Sequence, residues 1–195
     1  KTIKILSEKA LERGKVHQII LMVDLGDLRE GYFNDEDVYE AVEYTLKLDG
    51  VKLMGIGTNL TCYGGVIPDQ QNLGRLVKLS KNIEDRFGIE LDIISGGNSS
   101  SLHLLMDDKS IEGINNLRLG ESLVLGVETA YGKRIENTYD DVFQLVGEII
   151  EIKYKPSVPM GKIGRDAFGK VPTFIDKGVR KRIICAIGRQ DVDLD

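Results

Sequence analysis

Four short polar segments of this sequence carry side chains able to hold or orient a small anionic molecule. Residues 24–31 read Asp24-Leu25-Gly26-Asp27-Leu28-Arg29-Glu30-Gly31. Arg29 presents a planar fork of N–H donors that suits a carboxylate. The same arginine can instead pair with Asp24, or the stretch can be a tight turn of solvated charges. Residues 57–65 offer a hydroxyl, an amide and a thiol together: Gly57-Thr58-Asn59-Leu60-Thr61-Cys62-Tyr63-Gly64-Gly65. Asn59 is the informative member, since a buried amide at a strand end normally holds something. Cys62 has no histidine nearby in sequence to activate it and is read as an inert thiol. Residues 95–101, Ser95-Gly96-Gly97-Asn98-Ser99-Ser100-Ser101, join glycines that admit close backbone approach to hydroxyl donors at a helix start. That chemistry binds phosphate, although the same pattern also caps helices. In the fourth segment, Asn116-Leu117-Arg118-Leu119-Gly120-Glu121-Ser122, burying Arg118 would be costly without an acceptor or anion. The amides of Gly120 and Glu121 are candidates for a second phosphate contact.

Elements that place these segments follow from hydropathy. Residues 19–25, 51–60, 91–95 and 116–125 read as near-continuous apolar strands of a parallel sheet covered on both faces. Amphipathic patterns at 37–48, capped by Asn34 or Asp35, and at 70–87, stopped by Gly88, predict helices between the first three. A shorter helix is expected near 101–106, and an opening helix carries Ile3, Leu6, Ala10 and Leu11 on one face, ending at Gly14. Four strand–helix units are about half of a (β/α)8 barrel of roughly 250 residues. Each polar segment thus falls at a strand's carboxyl end, where such folds keep their sites. Beyond residue 140 the apolar pattern alternates at 142–154 and 179–188, with Pro156, Pro159, Gly161, Gly164, Gly169, Pro172 and Gly178 between. The fold class is therefore α/β, part of a (β/α)8 barrel followed by part of an antiparallel β domain. The boundary is placed at residues 132–140, dividing the chain into 1–135 and 136–195.

Composition narrows the function. The 195 residues carry a net charge of −5, and the only tight basic run is Arg180-Lys181-Arg182, read as a solvated strand edge. Nucleic-acid binding is excluded on that basis. No apolar run reaches the roughly 20 residues of a membrane span, and the chain reads as soluble and cytoplasmic. Two cysteines, Cys62 and Cys185, and two histidines, His17 and His103, support neither a disulfide framework nor a zinc site. Both histidines are read as structural. Tyr131 either reaches the site or packs at a domain junction. A chain that opens on Lys1 inside a helical pattern and stops after an apolar run reads more easily as a piece than as a whole; trimmed termini are the alternative.

Taken in order, D-x-G-x-x-R-x-G (Asp24, Gly26, Arg29, Gly31), T-N-L, N-S and L-R-x-G resemble the alanine racemase family of pyridoxal-phosphate enzymes. The longer strings VDLGDLREGYF, NLTCYG, SGGNSSS and GESLVLGVETAYG resemble its ornithine racemase branch, and the likeness spans about residues 15–190. The resemblance implies that Asn98 and Ser99 match the pair whose serine binds the cofactor phosphate. It implies the same of the backbone N–H groups of Gly120 and Glu121. Arg118 matches an arginine facing the pyridine nitrogen, and Arg29 one near the substrate carboxylate. Asn59 stands where the family usually has a histidine.

The resemblance also implies a Schiff-base lysine on the first barrel strand, for which this sequence holds no match. A second base is implied as well, a tyrosine from the partner subunit. The nearest matching stretch, residues 162–168, contains no tyrosine. The expectation is the later half of a racemase barrel and the start of its β domain. The complete enzyme would be a homodimer acting on a free amino acid, ornithine or alanine-type, and the piece alone would be inactive. A non-catalytic pyridoxal-phosphate-binding barrel protein is the alternative. A phosphate-sugar barrel enzyme is disfavoured by the scarcity of carboxylates at strand ends beyond Asp24 and Asp27.

Overall fold

A computed structural model describes residues 1–192; the terminal Asp193-Leu194-Asp195, assigned above to the second domain, lies outside the described residues. The chain divides into two compact units, Lys1–Phe143 and Gln144–Asp195. Residues 136–143 lie with the first unit, where Arg134 pairs with Asp140 at 2.6 Å.

The first unit opens with α1 (Thr2–Leu11) and then alternates β1 (His17–Met22), α2 (Asp35–Leu46), β2 (Val51–Gly57), α3 (Gln70–Phe87) and β3 (Ile93–Ser95). The strands are parallel in the order β1-β2-β3, with His17 opposite Val51 and Gly57 opposite Ser95. Helix α3 starts where the sequence demands. The Asp69 carboxylate accepts from the Gln71 and Asn72 amides, while the Asn72 side chain returns a bond to the Asp69 N–H. It ends on Gly88 in the left-handed region, φ 63°. Val38, Ala41 and Val42 of α2 and Leu73, Leu76, Leu79 and Ile83 of α3 meet Leu53, Ile56 and Ile94 of the sheet in one continuous core. Burial of each such side chain contributes about 1.5–3 kcal/mol.

Strand ends differ from the sequence reading in an instructive way. Val23 and Leu25 are buried, but β1 stops at Met22. There the chain folds back, so that Tyr32 donates to the Met22 carbonyl and Asp24 to the Tyr32 carbonyl. Gly31 permits this return: a Cβ there would lie 2.7 Å from the Asp24 nitrogen, and its φ is +115°. The fourth strand, expected over 116–125, is a correction. Only the Ser95–Asn116 bridge forms, followed by bonds from the Gly96 amide to the Asn116 carbonyl and from the Arg118 amide to the Gly97 carbonyl. Its partner β3 is three residues long, so the ladder has nothing further to pair with. The chain then turns at Gly120 into α5 (Glu121–Leu125), closed by Gly126 at φ 67°. Between β3 and this segment lie a 3-10 turn (Ser99–Ser101) and α4 (Leu102–Met106).

The second unit is an antiparallel pair, β4 (Ile149–Pro156) with β5 (Val179–Cys185), in which Ile152 faces Ile183 and Lys153 faces Arg182. Its connection is tied down by Ser157, whose hydroxyl donates to Asp176 at 3.0 Å and accepts the Lys177 amide at 2.7 Å. No helix among the described residues is long and apolar enough to cross a membrane.

Candidate functional site

The carboxyl ends of β1, β2 and β3 and the 116–122 segment converge on a cleft of about 570 Å³, lined by Arg29, Thr61, Cys62, Asn98, Ser99, Arg118, Gly120, Glu121 and Thr129. Six of the seven sequence-predicted site residues line it. The seventh, Asn59, is outside the lining but hydrogen-bonds Arg118 of the cleft and Glu30.

One wall is a serine–amide cluster. The Ser99 hydroxyl, 3% exposed, accepts the Ser122 amide at 3.1 Å and the Gly120 amide at 3.4 Å, and donates to the Ser122 hydroxyl at 3.0 Å. The turn behind it is set by Asn98, whose carbonyl oxygen caps the Ser100 amide while its NH2 donates to the Leu60 carbonyl and the Cys62 sulfur. Ser101 locks the turn onto the Gly96 carbonyl at 2.6 Å. Ser122 was not singled out from sequence. Its signal was the Gly-Glu-Ser start of a helix, hidden by an apolar run that continued through Leu125.

The lining also holds two guanidinium groups, Arg29 and Arg118. Arg118 donates to the Ser95 hydroxyl, to the Thr58 carbonyl at 2.8 Å and to the Asn59 carbonyl oxygen at 2.6 Å. Burial pulls its proton affinity down, and the charge of Glu30 works against that. Room for the guanidinium comes from Gly57, where a Cβ would sit 2.9 Å from the Ser95 Cβ and 3.3 Å from Arg118 Nη1. Arg29 pairs with Glu30, through Nε to Oε2 and Nη2 to Oε1, not with Asp24 as one sequence reading had it. The hydrogen bond from Arg29 holds the Glu30 carboxyl down to about 2, against the opposing effect of desolvation and with help from Asn59. The same bond raises the Arg29 proton affinity. Asp24 instead accepts the Gly26 and Leu28 amides, shaping its own turn.

The lip of the cleft at residues 61–66 is organised by Asp27, 1% exposed. Its Oδ1 accepts the Thr61 and Val66 amides, each at 3.1 Å, and its Oδ2 accepts Cys62 at 3.0 Å and Tyr63 at 2.7 Å. Burial alone would raise its pKa, but the amides of Tyr63, Val66 and Cys62 outweigh that and lower it. A second caged carboxylate, Glu128, is fully buried and accepts from Ala130, Tyr131 and Lys133. His103 is buried, with Nδ1 2.7 Å from the Ser100 carbonyl and its ring against Tyr131 in a T-shaped contact at 5.3 Å. Both Tyr131 and His103 lie outside the cleft lining. The cleft therefore brings together hydroxyl, amide and guanidinium donors. This arrangement suits a ligand that carries an anionic group such as a phosphate or carboxylate.

A protein-family profile described as alanine racemase, N-terminal domain, matches residues 1–127. Ornithine racemase from Acetoanaerobium sticklandii is 53% identical over 193 residues, 99% of this chain and 55% of that protein. Lysine racemase from Thermotoga maritima is 42% identical over 190 residues, 97% of this chain and 52% of that protein. The chain thus spans about half the length of the curated relatives it matches. The solved alanine racemase of Clostridium difficile 630 superposes with a TM-score of 0.53 at 18% identity, covering 92% of this chain and 44% of that one. That likeness is one of fold, a barrel segment followed by part of a β domain.

Proposed function

Since the chain belongs to the alanine racemase family, we propose that it supplies one wall of the pyridoxal-phosphate site of an amino-acid racemase. The substrate proposed is a free basic amino acid such as ornithine, in keeping with the ornithine and lysine racemases it matches. The observation that carries the reading is the Ser99 cluster and Arg118 lining one cleft. The residues present fit the cofactor. A hydroxyl and adjacent backbone amides at Ser99, Gly120, Glu121 and Ser122 are donors for a phosphate, and the cleft volume lies in the range of small-molecule sites.

When bound, pyridoxal phosphate supplies an electron sink that acidifies the substrate's α-carbon. Ser99 and the Gly120–Ser122 amides hold its phosphate. Arg118 would donate N–H to the cofactor ring while keeping its own proton, which would favour return of the α-proton over side reactions. Arg29 lies on the same cleft and receives the substrate carboxylate, with its own charge fixed by Glu30. Net racemisation removes a proton from one face of the α-carbon and returns one to the other. No lysine or tyrosine lines this cleft among the described residues, so the two bases belong in this reading to other parts of the complete polypeptide or its partner subunit.

Two preparations test the proposal. The 195-residue chain incubated with pyridoxal phosphate and L-ornithine should bind the cofactor and leave the substrate's optical rotation unchanged. The complete polypeptide should racemise L-ornithine, and its Ser99→Ala variant should need more cofactor. Failure of the complete polypeptide to turn over any free amino acid while still binding cofactor would favour a non-catalytic binding protein.

A further inference from the structure

Arg29 and Arg118 face one cleft, yet each has a different relation to the same carboxylate. Glu30 takes both donors of the Arg29 fork, and its Oε1 also accepts Asn59 Nδ2 at 2.5 Å. Asn59 in turn presents its carbonyl oxygen to Arg118 Nη2 at 2.6 Å. The amide orientation is unambiguous, because a flip would set NH2 against guanidinium and carbonyl against carboxylate. Among the described residues no carboxylate bonds Arg118: its other bonds go to the Ser95 hydroxyl and the Thr58 carbonyl, both neutral. The chain of contacts runs Arg29, Glu30, Asn59, Arg118, and Asn59 is the one neutral link.

We propose that Glu30 is a positioning residue that orients Arg118 through Asn59 while it holds Arg29, so that both cationic groups of the cleft are set by one carboxylate. Histidine, aspartate or lysine in place of Asn59 could not serve both neighbours in the same manner. A neutral imidazole offers one donor and one acceptor but a longer reach, aspartate would repel Glu30, and lysine would repel Arg118. An asparagine amide passes the orientation on without adding charge. Glu30 also offsets one of the two guanidinium charges, which limits their mutual repulsion in a site about to receive an anion. The structural part of this inference stands without the cofactor; only its consequence for cofactor binding rests on the reading of the cleft given above.

The test follows the guanidinium Nε–H signals of Arg29 and Arg118 by NMR in the ¹⁵N-labelled, ligand-free chain, then the dissociation constant for pyridoxal phosphate. Glu30→Ala should move both signals. Glu30→Gln retains an acceptor for Asn59 and should move Arg29 while returning Arg118 to its wild-type position. Asn59→Ala should move Arg118 more than Arg29, and adding Glu30→Ala to it should shift Arg118 by much less than Glu30→Ala does alone, the remainder being the direct charge of Glu30. Cofactor binding should weaken about tenfold in either alanine variant and no more in the double variant, as expected for two residues acting in series. Glu30→Met, which keeps the side-chain length and removes the acceptors, should repeat the Glu30→Ala pattern and carries the test if the alanine variant does not fold. An Arg118 signal indifferent to Glu30→Ala and Glu30→Met, or one displaced equally with Asn59 already replaced, overturns the relay. Absence of cofactor binding by the wild-type chain would overturn the cofactor reading and leave the NMR comparison to decide the relay.

Discussion

Replacing Asp27 by asparagine isolates the carboxylate that shapes the lip of the cleft. The four amides it accepts divide into two pairs, Thr61 and Val66 on Oδ1 and Cys62 and Tyr63 on Oδ2. An asparagine in the same rotamer keeps its oxygen on the shorter pair and turns NH2 toward Thr61 and Val66, so two amides lose their acceptor. A buried donor left unsatisfied costs about 1–3 kcal/mol. The neighbouring residues 62–65 are exposed and water can relieve part of this, so the loss should lie near the low end, about 2–3 kcal/mol in all. In urea this is a midpoint lowered by about 1 M or more. The pH dependence has a definite sign. The folded-state pKa of Asp27 lies below its ordinary value of 3.8, so its contribution is complete above that value and fades as pH falls through the folded pKa. The gap between wild type and Asp27→Asn should therefore be flat from pH 7 to 5 and narrow only below about pH 4. Tyr63, 75% exposed, should also become a faster chymotrypsin site in the variant. A loss under about 0.5 kcal/mol, or a gap that closes between pH 7 and 5, would refute the reasoning.

Three further outcomes are expected. Ser99→Ala leaves the Gly120 and Ser122 amides without their hydroxyl and should weaken pyridoxal-phosphate binding roughly tenfold, about 1.4 kcal/mol, measured by absorbance titration. Gly57→Ala forces its Cβ onto Ser95 and Arg118, and should cost about 1–3 kcal/mol in urea unfolding and loosen cofactor binding together, whereas Gly164→Ala, which meets no atom within 4 Å, should leave binding unchanged. Cys62 and Cys185 are both exposed, but only Cys62 lines the cleft. Pyridoxal phosphate should slow iodoacetamide labelling of Cys62 several-fold and leave Cys185 untouched, read by peptide mass spectrometry.

What the sequence made legible was whatever local chemistry determines. The Asp69 box and Gly88 punctuate α3 so strongly that its limits, 70 and 87, could be read directly. Strand-end positions of Arg29, Asn98, Ser99, Arg118, Gly120 and Glu121 followed from the same punctuation, and the structure brings them to one cleft. Hydropathy failed at residues 116–125 because an apolar run cannot tell a strand from a short helix covered on one side. Pairing decided it, and a three-residue β3 offers pairing to Asn116 and little beyond. Nor could spacing reveal that Arg29 prefers its sequence neighbour Glu30 to Asp24. That choice depends on Asp24 being occupied by the Gly26 and Leu28 amides, a three-dimensional fact.

The carboxylates of this unit explain why its site is made of small residues. Asp27 and Glu128 are spent entirely on backbone N–H groups, one ordering residues 61–66 and the other residues 130–133. Glu30, by contrast, is directed at the Arg29 guanidinium and the Asn59 amide. With loop shape fixed by buried acids, the cleft wall need not contribute bulk to hold itself together. It can be built from Ser99, Gly120 and Ser122, whose hydroxyl and amide groups satisfy one another at 3.0–3.4 Å. Hydrogen bonds of that length between neutral groups are individually worth only about 0.5–1.5 kcal/mol. An arriving phosphate, offering charge-assisted bonds of roughly twice the strength to the same donors, would displace them. The prepared wall therefore binds an anion by exchanging weak internal bonds for stronger ones. That exchange requires the framework behind the wall, the turn held by Asn98 and Ser101, to stay in place while the wall's own bonds are broken.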